Sequence, residues 1–180
     1  MRIISGQYKG RHIRVHKKFS ARPTTDFARE NLFNFLSNYF NFEETTVLDL
    51  FSGTGGMSYE FASRGCPATE LVEINPVSYA FIKKILQELR ITTIIPHLAD
   101  AFKFIIHCRN QYDLIFADPP YTNERITELP GLIFRHDLLK PKGWFVLEHS
   151  RRYDFSGEAN FREKRTYGSV NFSVFCLPSV

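Results

Sequence analysis

Five short apolar runs, at residues 46–50, 69–73, 94–98, 113–117 and 144–148, alternate with stretches of helical period, and this alternation leaves few folds open. Runs of about five residues suit strands, whereas the stretch 77–89 sets Ile82, Ile85, Leu86 and Leu89 on one helical face. A parallel pair of strands needs a long crossover, which a helix supplies. The pattern therefore predicts a mostly parallel α/β sheet with helices on both sides. Near the end the rhythm changes. Residues 161–167 and 171–177 meet through Gly168-Ser169 with no helix between them, which predicts a hairpin that gives the sheet an antiparallel C-terminal edge.

What precedes the first run is different in kind. Residues 12–16 alternate polar and apolar, and with Arg2-Ile3-Ile4, Gly6 and Gly10 before them they predict a small N-terminal β-hairpin. Ala28, Leu32, Phe35, Leu36 and Tyr39 then recur at helical spacing and predict a helix over 26–40. The expected organisation is one domain, 1–180, with an arm or hairpin over 1–25, a linking helix over 26–41 and a Rossmann-like core over 45–180. At 43% apolar residues such a chain can bury one core. Charge follows the same division. The first 22 residues hold seven basic side chains (Arg2, Lys9, Arg11, Arg14, Lys17, Lys18 and Arg22) and no acidic one, so the rest of a chain of net charge +4 carries −3. A positive field gathered on an arm suits a polyanion such as nucleic acid.

Several classes are disfavoured. No stretch approaches the roughly 20 apolar residues of a membrane span, and residues 1–10 lack the apolar core of a secretory signal, so a soluble, cytoplasmic protein is expected. Cys66, Cys108 and Cys176 fit neither a disulfide framework nor a zinc site, and none of the six histidines forms a helical metal-binding pair, so no metal is expected.

The turn after the first run reads Asp49-Leu50-Phe51-Ser52-Gly53-Thr54-Gly55-Gly56. In an open α/β sheet ligands bind at the carboxyl ends of the strands, and Gly53 and Gly55 allow close approach of the backbone. A nicotinamide dinucleotide fits poorly. Its fingerprint needs a third glycine or alanine where Ser58 stands, and Asp49 would repel a pyrophosphate. An ammonium would instead be attracted, which favours S-adenosylmethionine. Glu73, one βαβ step later, can accept from both ribose hydroxyls, and Asp100, with Ala101 beside it, from the adenine amine; Phe51 and Ile74 complete the expected cofactor contacts. Each carboxylate alone could be a helix cap or a solvated strand end.

Asp118-Pro119-Pro120-Tyr121 closes the fourth run. Two prolines suit any turn, but an exocyclic amine on a base has a delocalised lone pair and needs acceptors for both N–H groups. The Asp118 carboxylate and Pro119 carbonyl can supply them, with Pro120 stiffening the turn and Tyr121 stacking on a flipped-out base. Methyl transfer would then be an in-line displacement governed by positioning.

These residues, with Arg2-Ile3-Ile4-Ser5-Gly6-Gln7-Tyr8-Lys9-Gly10-Arg11, Arg22-Pro23-Thr24-Thr25-Asp26, Arg29-Glu30, Leu32-Phe33 and Tyr167-Gly168, make the chain resemble the RsmD-type 16S ribosomal RNA guanine-N2 methyltransferases of bacteria. The resemblance implies the Rossmann-like class I methyltransferase fold, S-adenosylmethionine as donor, and a guanine of 16S rRNA, in an assembled or assembling small subunit, as acceptor. It implies that Arg2, Lys9, Arg11, Arg14, Arg22 and Thr24 hold RNA or help close the site of a monomer. Asn75 departs from the acidic residue frequent in the family, and Gly56-Met57 from its small-apolar pair. The competing readings are a DNA adenine-N6 or protein glutamine methyltransferase, a noncatalytic RNA-binding assembly factor and, weakest, a dehydrogenase. The DNA enzyme lacks room here for a large target-recognition region, the glutamine enzyme usually carries asparagine in place of Asp118, and the assembly factor would not need the Asp118 motif.

Overall fold

The structure is a computed structural model that describes residues 1–15 and 25–177. Arg22, Thr24 and the His16 end of the expected first strand lie outside the described residues.

Seven strands form one sheet: β1 (Thr46–Leu50), β2 (Ala68–Glu73), β3 (Ile94–Leu98), β4 (Tyr112–Ala117), β5 (Leu139–His149), β6 (Phe161–Tyr167) and β7 (Val170–Cys176), in the order β3-β2-β1-β4-β5-β7-β6. The first five pair in parallel, and β7 joins β5 and β6 antiparallel, giving the expected edge. The strand order reverses beside β1, so ligand-binding turns gather at the carboxyl ends of β1 and β4.

Alternation along the strands sorts the core. Leu48, Leu50, Ile115, Ala117, Phe145 and Leu147 pack on one face under α4 (Ala101–His107) and α5 (Leu129–Arg135). Val47, Leu114, Phe116, Trp144 and Val146 pack on the other against α1 (Asp26–Leu36) and the start of α2 (Gly56–Ser63). On that same side Leu71 meets α2 and α3 (Pro76–Leu89). Leu32, Phe33 and Leu36 of α1 are fully buried, and each such side chain contributes about 1.5–3 kcal/mol. Helix α3 starts where Asn75 caps it through the Val77 and Ser78 amides, with Pro76 as its first residue.

Three expectations need correction. Helix α1 stops at Leu36, not Phe40, because the Ser37 hydroxyl and Asn38 amide both donate to the Asn34 carbonyl, and the Tyr39 and Phe40 rings pack on Trp144. Strand β5 begins five residues before the apolar run at 144–148: Pro141-Lys142-Gly143 is a local irregularity within it, with Lys142 at φ 66° and the register slipping between Tyr112 and Leu114. The N-terminal hairpin is present but shorter than expected: it has one antiparallel bridge, Arg2 to His12, flanked by the Ile3 amide donating to the Arg11 carbonyl and the Ile13 amide to the Met1 carbonyl. The hairpin is also held by α2. Ile4 and Ser5 amides donate to the Glu60 carboxylate at 2.8 and 3.1 Å, the Tyr8 amide donates to Ser63 Oγ, and Gly6 lies so close that a Cβ there would sit 1.7 Å from the Ser63 carbonyl oxygen.

Candidate active site

One cleft of about 880 Å³ opens at the carboxyl ends of the parallel strands, within the range of small-molecule sites. It brings together Asp49, Phe51, Gly53, Glu73, Ile74, Asp100 and Ala101 with Asp118, Pro119, Pro120 and Tyr121. Gly55 is the exception among the expected cofactor and catalytic residues. It stands behind the cleft as the N-cap of α2, at φ 83°, where a side chain would strike the Tyr59 ring.

The turn after β1 is cross-tied. Ser52 donates its amide to the Val72 carbonyl and its hydroxyl to the Asp49 carbonyl, and the Gly53 amide donates to Glu73 Oε2 at 2.7 Å. The bulky Phe51 is forced to φ 60° and braced edge-on by Phe102, a strained conformation of the kind found beside ligands. Asp49 is 1% exposed and takes the Ser58 hydroxyl at 2.5 Å. Burial pushes its carboxyl up to about 7 against the Ser58 and Ser52 hydroxyls, with the Glu73 charge adding to the rise.

Glu73 already serves two backbone amides, those of Gly53 and Asn75, and burial raises its carboxyl despite them. Each carboxylate oxygen has a second lone pair for a ligand. Asp100 is a helix cap as well as a lining residue: its Oδ1 accepts from the Lys103 amide at 2.9 Å. Ile74 and Val77 border the cleft with about two thirds of each side chain exposed, an apolar shelf beside Glu73.

The turn Asp118 to Tyr121, expected to be catalytic, continues β4. The Asp118 amide donates to the Leu50 carbonyl at 3.3 Å, extending the ladder between β1 and β4 by one bond, and the Tyr121 ring is 42% exposed. Asp118 follows Phe116 on the side of the sheet that Asp49 shares with Val47. Its carboxyl is held well above the ordinary range by burial first, then by the charges of Glu148 and Asp49.

The expected RNA contacts are placed apart from this cleft. Arg2, Lys9, Arg11 and Arg14 are exposed on the arm and line no part of it, and Arg2 reaches Asp26 at 3.8 Å. Met1 and Thr25 do line it, so the arm passes its rim.

Three lining or supporting residues have no place in the sequence reading of the site. Ser58, known there only as a missing glycine, anchors Asp49. Arg29 is 2% exposed and lines the cleft; its Nη2 binds the Arg2 carbonyl and Asp26, its Nε is buried without a partner, and its Nη1 lies beside Gly56 at the start of α2. Glu148, 3% exposed, lines the cleft from the end of β5. In the sequence Arg29 is marked only among the residues of the family resemblance and Glu148 only as the end of an apolar run, neither with a role in the site.

Comparison with known proteins agrees with this geometry. A family model described as "Conserved hypothetical protein 95" matches residues 1–176. Ribosomal RNA small subunit methyltransferase D of Buchnera aphidicola subsp. Baizongia pistaciae is 33% identical over 148 residues, which cover 82% of this chain and 75% of that protein. Among solved structures, a hypothetical protein of Thermus thermophilus superposes with a TM-score of 0.88 over 98% of this chain and 99% of that one, at 24% identity. An RNA methyltransferase from Salinibacter ruber, solved with S-adenosyl-L-homocysteine, shares the fold at a TM-score of 0.70 and 16% identity, over 88% of this chain and 95% of that one. The chain belongs to the Conserved hypothetical protein 95 family, that of the RsmD-type S-adenosylmethionine-dependent rRNA methyltransferases.

Proposed function

We propose that the chain methylates the exocyclic N2 amine of a guanine in 16S rRNA, within the assembled or assembling small ribosomal subunit. One observation carries the reading: Asp49 and Asp118, from neighbouring strands, line a single cleft with an exposed tyrosine beside them.

The residues fit the methyl donor. Asp49, a buried carboxylate that accepts the Ser58 hydroxyl, suits the amino-acid ammonium. Arg29, beside the first residue of α2, suits the carboxylate, Glu73 the ribose hydroxyls, and Asp100 with Ile74 and Ala101 the adenine. S-adenosylmethionine supplies an electrophilic methyl group on a sulfonium.

At the acceptor end, Asp118 and the Pro119 carbonyl take the two N–H groups of the amine and turn its lone pair toward the donor, while Tyr121 stacks on the base. The nitrogen gains the methyl group and must lose a proton. Asp118, its carboxyl raised by burial and by Glu148, is a stronger base than an ordinary aspartate and takes that proton. Pro120 holds the turn by fixing φ.

The test uses radiolabelled S-adenosylmethionine and small subunits from a strain lacking its own enzyme, followed by digestion to nucleosides. Label is expected in N2-methylguanosine, reduced roughly 10²–10⁴-fold by Asp118→Ala. Label in another nucleoside or in protein would overturn the substrate, and donor binding without label would favour the noncatalytic reading.

A further inference from the structure

Asp118 has a carboxylate neighbour on the next strand. Strands β4 and β5 run parallel with Ala117 opposite Leu147, and Asp118 and Glu148 are the next residue on each. Both follow residues of the same face, Phe116 and Val146, so their side chains leave the sheet on one side, on backbones about 4.8 Å apart. Glu148 is 3% exposed and lines the same cleft as Asp118, Pro119 and Tyr121. Its position is fixed from the far side as well, since β7 pairs Phe172 with Glu148 and Asn171 with His149. Among the described residues no three acidic, histidine or cysteine side chains converge as a metal would require, so the pair does not read as a cation site.

The chemistry of the bases gives such a pair a use. A methylated exocyclic amine has a ring nitrogen beside it. In guanine the amine stands between N1–H, a donor, and N3, an acceptor; in adenine and cytosine its one ring-nitrogen neighbour is bare, so N1–H is the feature that guanine alone offers. A carboxylate next to the one that holds the amine accepts from guanine N1–H and repels the lone pair of the other two. We propose that Glu148 is the specificity-determining residue of this site, accepting the N1–H of the guanine whose N2 amine is held by Asp118. This rests on the amino-methyltransferase reading above and adds to it the residue that chooses the base.

The pair also explains why a buried second acid is kept there at all. Like charges on adjacent strands cost stability, which an apolar residue at 148 would avoid. The two N–H donors presented by one guanine edge bring one donor to each carboxylate of the pair.

The experiment compares guanine with 2-aminopurine, which keeps the N2 amine but has a bare N1. Once the modified position has been mapped with wild-type enzyme, small subunits are rebuilt with 16S RNA carrying 2-aminopurine at that position. Wild-type enzyme is expected to prefer guanine by roughly 100-fold or more in kcat/KM, as sites built around a buried hydrogen bond do. Glu148→Gln, whose amide can donate to a bare N1, is expected to bring the two substrates within roughly threefold while leaving S-adenosylmethionine affinity unchanged. Its pH–rate profile should also move to lower pH, because Asp118 then loses the neighbouring charge that raises it, with Asp49 the other acid acting on it. Glu148→Asp, which keeps the acceptor, should retain the preference for guanine.

Full discrimination in Glu148→Gln overturns the proposal, and so does loss of donor affinity, which would assign Glu148 to the donor half of the cleft. Should the wild-type label fall outside N2-methylguanosine, the substrate reading fails first and this inference falls with it. A guanine-methylating wild type with an indifferent Glu148 removes the inference alone.

Discussion

At the scale of single residues, the site is built from groups the fold would be more stable without. Asp49 is the clearest. Its carboxyl is raised from an ordinary 3.8 to about 7 by burial, so the folded chain binds a proton there that the unfolded chain has released. Between about pH 4 and pH 7 stability therefore falls as pH rises, and above pH 7 the full penalty is present, on the order of a few kcal/mol. Glu73 is raised as well and acts in the same direction. Asp49→Asn keeps an oxygen for the Ser58 hydroxyl and discards the charge. The variant should melt several degrees higher than wild type at pH 8, converge on wild type near pH 4, and bind S-adenosylmethionine at least tenfold more weakly, roughly the value of a charged hydrogen bond. Thermal melts at the two pH values and a donor titration test this; equal melting temperatures at pH 8 would show that the buried charge costs the fold nothing.

Among elements, the arm is the one whose form depends on a distant partner. The alternation at residues 12–16 is that of a half-buried strand, yet Ile3 and Ile13 are buried against α2 and α3, and the backbone of residues 4–8 is satisfied by Glu60 and Ser63 more than fifty positions away. Gly6 makes that docking possible, by its φ of 80° and its contact with the Ser63 carbonyl. Gly6→Ala should detach the arm: limited proteolysis within residues 1–15 is expected to accelerate at least tenfold, while the secondary-structure signal of the sheet persists. Unchanged protection would mean that the docking does not depend on this glycine.

The same element shows what sequence reasoning can reach. Runs 46–50 and 94–98 are strands to the residue, and α3 starts one position before its expected stretch, because strand and helix periods are local properties. The carboxylates Asp49, Glu73, Asp100 and Asp118 are legible because each stands at a strand end, where this topology puts ligands. The short hairpin of the arm is legible in the same way, but contacts across fifty residues leave no local trace, so its docking on α2 is not. The site roles of Arg29 and Glu148 are hidden for a related reason: Arg29 is visible only within the family resemblance and Glu148 as the end of an apolar run, and it is the assembled cleft that brings both to the site.

For the molecule as a whole, charge is divided between rim and interior. The cleft is lined by Asp49, Glu73, Asp100, Asp118 and Glu148, with Arg29 as its buried cation, whereas Arg2, Lys9, Arg11 and Arg14 stand exposed on an arm whose described residues reach the cleft at Met1 and Thr25. A phosphate backbone is repelled by such an interior and drawn to such an arm; a base extruded from its stack carries no phosphate and can enter. On the proposed function the two regions would divide one substrate between them, the arm taking the polyanion and the cleft the base. Binding and chemistry should then separate. Replacing Lys9, Arg11 and Arg14 together by alanine is expected to weaken RNA binding at low salt and to flatten the dependence of log affinity on log salt by about two, at roughly 0.7 per lost contact with single-stranded phosphate. S-adenosylmethionine affinity and the maximal rate at saturating RNA should stay within about threefold of wild type, since positioning within the cleft is untouched. Filter binding across a salt series, with single-turnover methylation at saturating substrate, measures both. A salt slope that does not move would place the polyanion on another surface, and a collapse of the saturated rate would make the arm part of the closed active site, not an electrostatic tether.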